Sequence, residues 1–208
     1  MSDKFQSKTK KQKAPVAVLL AILLLVLIVS LVLARCSGVG DKTPVLTVET
    51  PQKLSASQTD TVTLDVTISQ LGDTLYPAMS MSVSFDSSRL EFLGVEEGNI
   101  FILSDENSVG QQLPDWSYNV QTANDTGLIN IMYLDMTGGK NSFSQDLLGE
   151  GENVLLRLKF RLRGSVRPGD VLDLIVEDAV FAASDETQSL AMTTDALKVK
   201  NGRLVIGE

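Results

Sequence analysis

The sequence has no histidine and a single cysteine, Cys36, in 208 residues. Without histidine there is no Ser-His-Asp triad, no Cys-His nucleophile pair and no His-ligated zinc. A lone cysteine makes no internal disulfide and no cysteine-rich metal site. Aromatic residues are scarce, 5% against 43% hydrophobic residues overall, so a mostly aliphatic core is expected. Helical periodicity is missing too. Past Ala34 no stretch of a dozen residues repeats its apolar positions every 3.6 residues.

Basic charge is confined largely to the start of the chain. Lys4, Lys8, Lys10, Lys11, Lys13 and Arg35 against Asp3 give residues 1–35 a charge of +5. The whole chain carries −8, so residues 36–208 hold −13, from 25 acids and 12 bases. A surface this acidic repels phosphate backbones, which excludes nucleic acid as a partner and favours one with a basic contact surface.

What is present begins with an apolar run. Val16 to Ala34 is 19 residues long, uncharged, with Ser30 as its one polar member. As a helix it spans roughly 28 Å, close to the ~30 Å hydrocarbon core of a bilayer. Five lysines precede it, and the positive-inside rule keeps them cytoplasmic with the remainder outside. Secretory signal cores usually run about 7–15 residues, so the length favours a retained signal anchor. Two other fates stay open. One is cleavage after Ala34, with Val32 and Ala34 as small residues. The other is lipidation of Cys36 in Leu33-Ala34-Arg35-Cys36, which resembles a bacterial lipobox except for Arg35. The expected organisation is a cytoplasmic tail over 1–15, a membrane span over 16–34, a linker over 35–44 and a domain over 45–206. The nine residues 36–44 reach at most about 30 Å, which keeps the domain near the membrane.

From Val45 onward the apolar period is two, broken by turn residues. Nine strands are expected: Val45–Glu49, Thr61–Ile68, Ala78–Phe85, Leu90–Val95, Trp116–Gln121, Leu128–Asp135, Asn153–Leu162, Val171–Phe181 and Gly202–Ile206. Val62, Leu64, Val66 and Ile68 point to a core, as do Met79, Met81, Val83 and Phe85 with Ser80, Ser82 and Ser84 on the other side. Arg157, Lys159 and Arg161 alternate outward from the apolar positions of Leu155–Leu162. Asp125-Thr126-Gly127 and Arg167-Pro168-Gly169-Asp170 supply the dihedrals of tight turns. Many strands at roughly ten-residue spacing, with no helices, read as an all-β, jelly-roll β-sandwich. Asn99–Pro114 and Gly138–Gly151 are its two long connections.

Several of these segments together resemble a cohesin domain, the dockerin-binding receptor of bacterial cellulosomes. Ser84-Phe85-Asp86-Ser87-Ser88-Arg89-Leu90-Glu91-Phe92 is similar to the cohesin segment in which the third strand ends in an aromatic and Asp before a strand opening with Leu-Glu. Gly127–Asp135 is similar to the sixth strand, Gly151–Leu162 and Pro168–Ala182 to the seventh and eighth, and Asn201–Ile206 to the closing strand. The likeness covers about 45–206. It implies a nine-stranded jelly roll whose third, fifth, sixth and eighth strands form a flat face that grips the helices of a calcium-loaded dockerin. Onto that face the alternation projects Ser80, Ser82 and Ser84, then Asn130, Met132 and Leu134. The fifth strand adds either Ser117 and Asn119 or Trp116 and Tyr118, with Asn119 taken as the candidate contact. Neither Asp185-Glu186-Thr187 nor Asp105-Glu106-Asn107 has the spacing of an EF-hand-like loop. The chain is therefore expected to need no cofactor, with calcium arriving on the partner.

The same residues allow other functions. A carbohydrate-binding module, with polysaccharide as partner, would use Trp116, Tyr118 and Tyr133 as stacking rings, but a planar strip of several rings is needed. A two-carboxylate glycosidase would draw on Glu91, Glu96, Glu97, Asp115, Asp135, Asp146, Glu177 or Asp178. With 25 acids, close pairs arise by chance and solvated charge explains them. A structural or adhesive envelope domain shares the same fold and anchor. The protein-binding module accounts for most of the pattern, and no catalysis is expected.

Overall fold

The computed structural model describes residues 43–50, 54–55, 61–100, 115–164 and 166–207. The apolar run Val16–Ala34, the residues before it and Cys36 lie outside the described residues, as does 101–114 of the first long connection. Among the described residues no helix is long and apolar enough to cross a membrane.

Among the described residues eleven strands form two sheets. In chain order they are β1 (Val45–Val48), β2 (Leu54–Ser55), β3 (Val62–Ile68), β4 (Ala78–Ser84), β5 (Leu90–Glu97), β6 (Leu128–Leu134), β7 (Val154–Leu162), β8 (Val171–Ala182), β9 (Leu190–Ala191), β10 (Lys198–Lys200) and β11 (Gly202–Gly207). One sheet runs β10-β1-β3-β7-β5. The other runs β2-β11-β8-β4-β6, with β9 beside β8. Eight of the nine expected strands are present with bounds shifted by a residue or two. The short β2, β9 and β10 add to the count; none is long enough to display an alternating pattern.

The expected fifth strand, Trp116–Gln121, is a correction. Of that segment only Ser117 pairs, in an isolated bridge with Met132. From Val120 the chain turns into a helix, α1 (Val120–Thr126). Asn119 is its N-cap, the side chain accepting from Thr122 N at 2.8 Å. Gly127 ends it in the left-handed region at φ 72°, donating to the Ala123 carbonyl at 2.8 Å. A side chain at Gly127 would also run into the Phe85 carbonyl. Asp125-Thr126-Gly127 is thus the close of a helix, while Pro168-Gly169 makes the expected tight turn, with Asp170 N donating to the Arg167 carbonyl. Helix α1 is seven residues long, too short to register a helical period in the sequence.

The core lies between the sheets. Val62, Leu64, Val66 and Ile68 of β3, and Leu156, Leu158, Phe160 and Leu162 of β7, face Met79, Met81 and Val83 of β4 and Ile129, Ile131 and Tyr133 of β6. Few aromatics suffice because they cluster. Phe85 meets Phe160 edge-on at 5.4 Å, and Phe143 contacts both Tyr133 at 5.1 Å and Phe181 at 5.6 Å.

Candidate functional site

The two sheets turn different outer faces to water. On the β10-β1-β3-β7-β5 sheet the outward side chains of β7 are cations paired with their neighbours. Arg157 Nε meets Asp65 Oδ1 at 3.0 Å, Lys159 Nζ meets Glu96 Oε1 at 2.6 Å and Arg161 Nη1 meets Glu91 Oε2 at 3.3 Å. None of the exposed large hydrophobic side chains among the described residues sits on a strand of this sheet. Its central rows are neutralised by these pairs, and without exposed apolar anchors the face offers little to a partner.

The outer face of β8-β4-β6 is different. Strand register aligns Ala78 between Leu134 and Ala182, Ser80 between Met132 and Val180, Ser82 between Asn130 and Asp178, and Ser84 between Leu128 and Ile175. A bulge in β8 sets this order. The register against β4 shifts between Ser82 and Val83, leaving Glu177 unpaired. Outward positions therefore change from odd numbers (Val171, Asp173, Ile175) to even ones (Asp178, Val180, Ala182). Glu177 and Asp178 both project into water as a result.

A polar band thus crosses the face between two apolar patches. In the band Ser82 Oγ donates to Asn130 Oδ1 at 2.8 Å, and Ser84 Oγ donates to Glu177 Oε1 at 2.6 Å. On one side lie Met132 and Leu134, 56% and 57% exposed, with Ala78 and Val180; on the other lie Leu128, Ile175 and Val171. The face brings together Ser80, Ser82, Ser84, Asn130, Met132 and Leu134, six of the seven residues projected from the sequence. Asn119 is the exception: its side-chain oxygen is engaged in capping α1. Sequence reasoning missed the contribution of β8, whose phase change at Glu177 is invisible to a strict period of two.

The other candidate chemistries are not assembled. Trp116 is buried against Tyr133 and Phe143, with ring centroids 5.6 and 6.1 Å away. The Tyr133 hydroxyl donates to the Asn141 carbonyl at 2.7 Å inside the protein. Of the three rings considered for sugar stacking only Tyr118 reaches the surface. Among the acids, Glu91 and Glu96 are ion-paired on the opposite face and Asp135 accepts hydrogen bonds within its own loop. Among the described residues no cluster of three or more Asp, Glu, Cys or His is placed to hold a metal ion.

Comparison with known proteins agrees with this architecture. Residues 47–200 match the family model of the cohesin domain. No curated protein matches the chain in sequence. Among solved structures, the third cohesin of ScaC from Acetivibrio cellulolyticus, in complex with the ScaB dockerin, superposes with a TM-score of 0.55 at 12% identity, covering 79% of this chain and 99% of that one. The Coh-OlpA cohesin of Clostridium thermocellum, in complex with Doc918, gives a TM-score of 0.55 at 18% identity, covering 79% and 99%. A non-cellulosomal cohesin from the archaeon Archaeoglobus fulgidus gives 0.51 at 16% identity, covering 80% and 92%. At these identities the likeness is one of fold, and in the first two structures that fold holds a dockerin. Cohesins need no cofactor of their own, since the calcium sits on the dockerin. The chain belongs to the cohesin domain family, whose members are non-catalytic binding modules.

Proposed function

We propose that this chain docks a dockerin-bearing protein, a glycan-degrading enzyme or a scaffold, on the outer face of β8-β4-β6 at the cell surface. The observation that carries the reading is the contrast between the two faces. One is closed by its own ion pairs; the other exposes Met132, Leu134, Val171 and Ile175 around hydroxyl, amide and carboxylate groups. Apolar anchors within a polar surround are the anatomy of a protein-binding surface. Ser80, Ser82, Ser84, Asn130, Met132 and Leu134 are the proposed contacts. Asp178 has no ion pair among the described residues, so a lysine or arginine on the dockerin helix completes the band.

The anchoring half of the proposal rests on Val16–Ala34 and the lysines before it. A retained segment of that length holds the domain at the outer surface of a bacterial membrane, a short linker away. Alkaline carbonate extraction of membranes from producing cells tests it. The full chain is expected in the pellet with Met1 to Lys13 still detectable by mass spectrometry, whereas a soluble chain starting after Ala34 contradicts retention.

The docking half is tested by titrating the detergent-solubilised full chain with each dockerin encoded in the same genome, loaded with calcium. Saturable one-to-one binding by at least one of them supports the reading. Binding by none overturns it.

A further inference from the structure

At the end of β6 the chain displays a methionine in an unusual setting. Met136 is 82% exposed, the most of any large hydrophobic side chain among the described residues, yet the loop beneath it is tightly tied. Asp135 Oδ1 accepts from Thr137 N at 2.7 Å and from Thr137 Oγ1, and Asp135 Oδ2 accepts from Gly139 N at 3.0 Å and Ser142 Oγ at 2.7 Å. Asn141 N then donates to Thr137 Oγ1 at 3.1 Å, and the Asn141 carbonyl accepts from the buried Tyr133 hydroxyl. Gly138 and Gly139, at φ 74° and 98°, supply the left-handed backbone that lets the loop close on Asp135.

The methionine stands over a cleft of about 310 Å³ whose walls include Met132, Leu134, Met136, Thr137, Ser117 and Asp115. Two of these, Met132 and Leu134, are the apolar anchors of the face described above, so the cleft continues that face past the end of β6. Its lining also carries Asp115, for which no ion pair is present among the described residues. The lining asks for a large apolar side chain with a cation beside it. Methionine suits such a wall, because its thioether chain adapts to the shape that enters.

We infer that Met136, held by the Asp135-centred loop, is a specificity-determining contact of this cohesin, closing a cleft over one large aliphatic side chain of the bound dockerin helix while Asp115 receives a neighbouring lysine or arginine. The inference rests on the docking reading above and goes beyond it by adding an edge subsite outside the sheet. Asp135 also lines the cleft, but both of its carboxylate oxygens are engaged by Thr137, Gly139 and Ser142, so it is a positioning residue that acts by fixing where Met136 stands.

The test is oxidation footprinting of the full chain in detergent, free and saturated with the cognate calcium-loaded dockerin. Brief hydrogen peroxide exposure is read residue by residue by mass spectrometry, with Met79 and Met81, buried in the core, as internal references. In the free chain Met132 and Met136 oxidise much faster than the references. In the complex both are slowed about tenfold or more. If Met132 is slowed and Met136 is not, the edge subsite is wrong while docking on the sheet stands. If neither is slowed in the saturated complex, the face itself is wrong. Slowing of Met136 at high chain concentration without dockerin assigns the cleft to a second copy and overturns the inference. In affinity measurements Met136→Ala and Asp135→Ala each weaken binding about tenfold, and the double variant is no weaker than Met136→Ala alone. Additive losses contradict a positioning role for Asp135, and Met136→Ala, which leaves the loop's hydrogen bonds intact, keeps the test valid if Asp135→Ala folds poorly.

Discussion

The side chain of Asn124 satisfies both backbone groups of Phe92, accepting from Phe92 N and donating to the Phe92 carbonyl, each at 2.8 Å. One amide thereby ties α1 to β5, the edge strand of its sheet, at the residue before the bulge between Phe92 and Gly94. It covers a stretch of strand edge that would otherwise offer unpaired groups to another chain. The same Asn124 Nδ2 reaches the Val120 carbonyl at 3.0 Å, so the helix and the strand edge are held as a unit.

Asn124→Ala removes these bonds and leaves the Phe92 backbone groups partly desolvated without partners. A loss of about 2–3 kcal/mol of stability is expected, read as a lower urea midpoint. Asn124→Asp keeps an acceptor for Phe92 N but loses the donor to the carbonyl, and should fall between the two. Equal midpoints for all three proteins would contradict the role given to this side chain.

Acid should weaken the fold through Asp135 and Asp86. Burial alone would raise Asp135, but hydrogen bonds from the Thr137 and Ser142 hydroxyls outweigh it and hold the carboxyl below the ordinary range. The Ser88 hydroxyl and the Arg89 guanidinium do the same for Asp86. A depressed folded-state pKa stabilises above the unfolded value, near 4, and that stability is lost as pH falls further. Urea midpoints should be flat from about pH 7 to 5 and decline below about 4, with a shallower decline in Asp135→Asn. An unchanged slope in that variant contradicts the assignment.

At the alkaline end burial, and then the Asp135 charge, push the Tyr133 phenol up to about 12. A raised pKa means the neutral phenol's contribution is whole below the unfolded value of about 10 and is lost as pH rises through the folded one. Burial raises Tyr76 as well, so absorbance titration near the tyrosinate band should show two of the three tyrosines lagging the normal range, and Tyr133→Phe should remove one of the two late steps. A Tyr133→Phe trace identical to wild type would contradict it.

The ion-paired face supplies the control for docking. Replacing Lys159 or Arg161 by Ala removes an exposed pair and is expected to change stability by no more than about 1 kcal/mol. Partner affinity should be unchanged, because these groups lie on the sheet opposite the proposed contacts. Loss of binding in either variant would move the interface to the wrong sheet.

How much of this was legible in the sequence follows from which patterns a period of two can carry. The alternations of Val62–Ile68, Met79–Phe85 and Leu128–Tyr133 predict which residues go inside, and the structure buries Val62, Leu64, Val66, Ile68, Met79, Met81, Val83, Ile129, Ile131 and Tyr133. That is why Ser80, Ser82, Ser84, Asn130, Met132 and Leu134 emerge together on one face. The pattern fails where structure departs from it by one residue or one turn. The bulge at Glu177 reverses the outward side of β8 partway along the strand, and α1 is a seven-residue helix whose signs, a capping Asn119 and a closing Gly127, resemble loop residues in isolation. Trp116 and Tyr118 could not be ordered by alternation because their segment is a single bridge followed by a helix. Asn141 and Ser142 are buried polar residues far from any strand period, held there by the Asp135 loop.

The most direct test of the central claim is isothermal titration of the full chain and its Met132→Glu variant with the calcium-loaded dockerins encoded in the same genome. The account predicts one-to-one binding of at least one dockerin by wild type, lost in chelator, and weakened at least about a hundredfold by a carboxylate placed among Met132, Leu134 and Val180, with the variant's melting temperature unchanged. Binding that survives Met132→Glu undiminished would contradict the account, because the dockerin would then have to sit somewhere other than the outer face of β8-β4-β6.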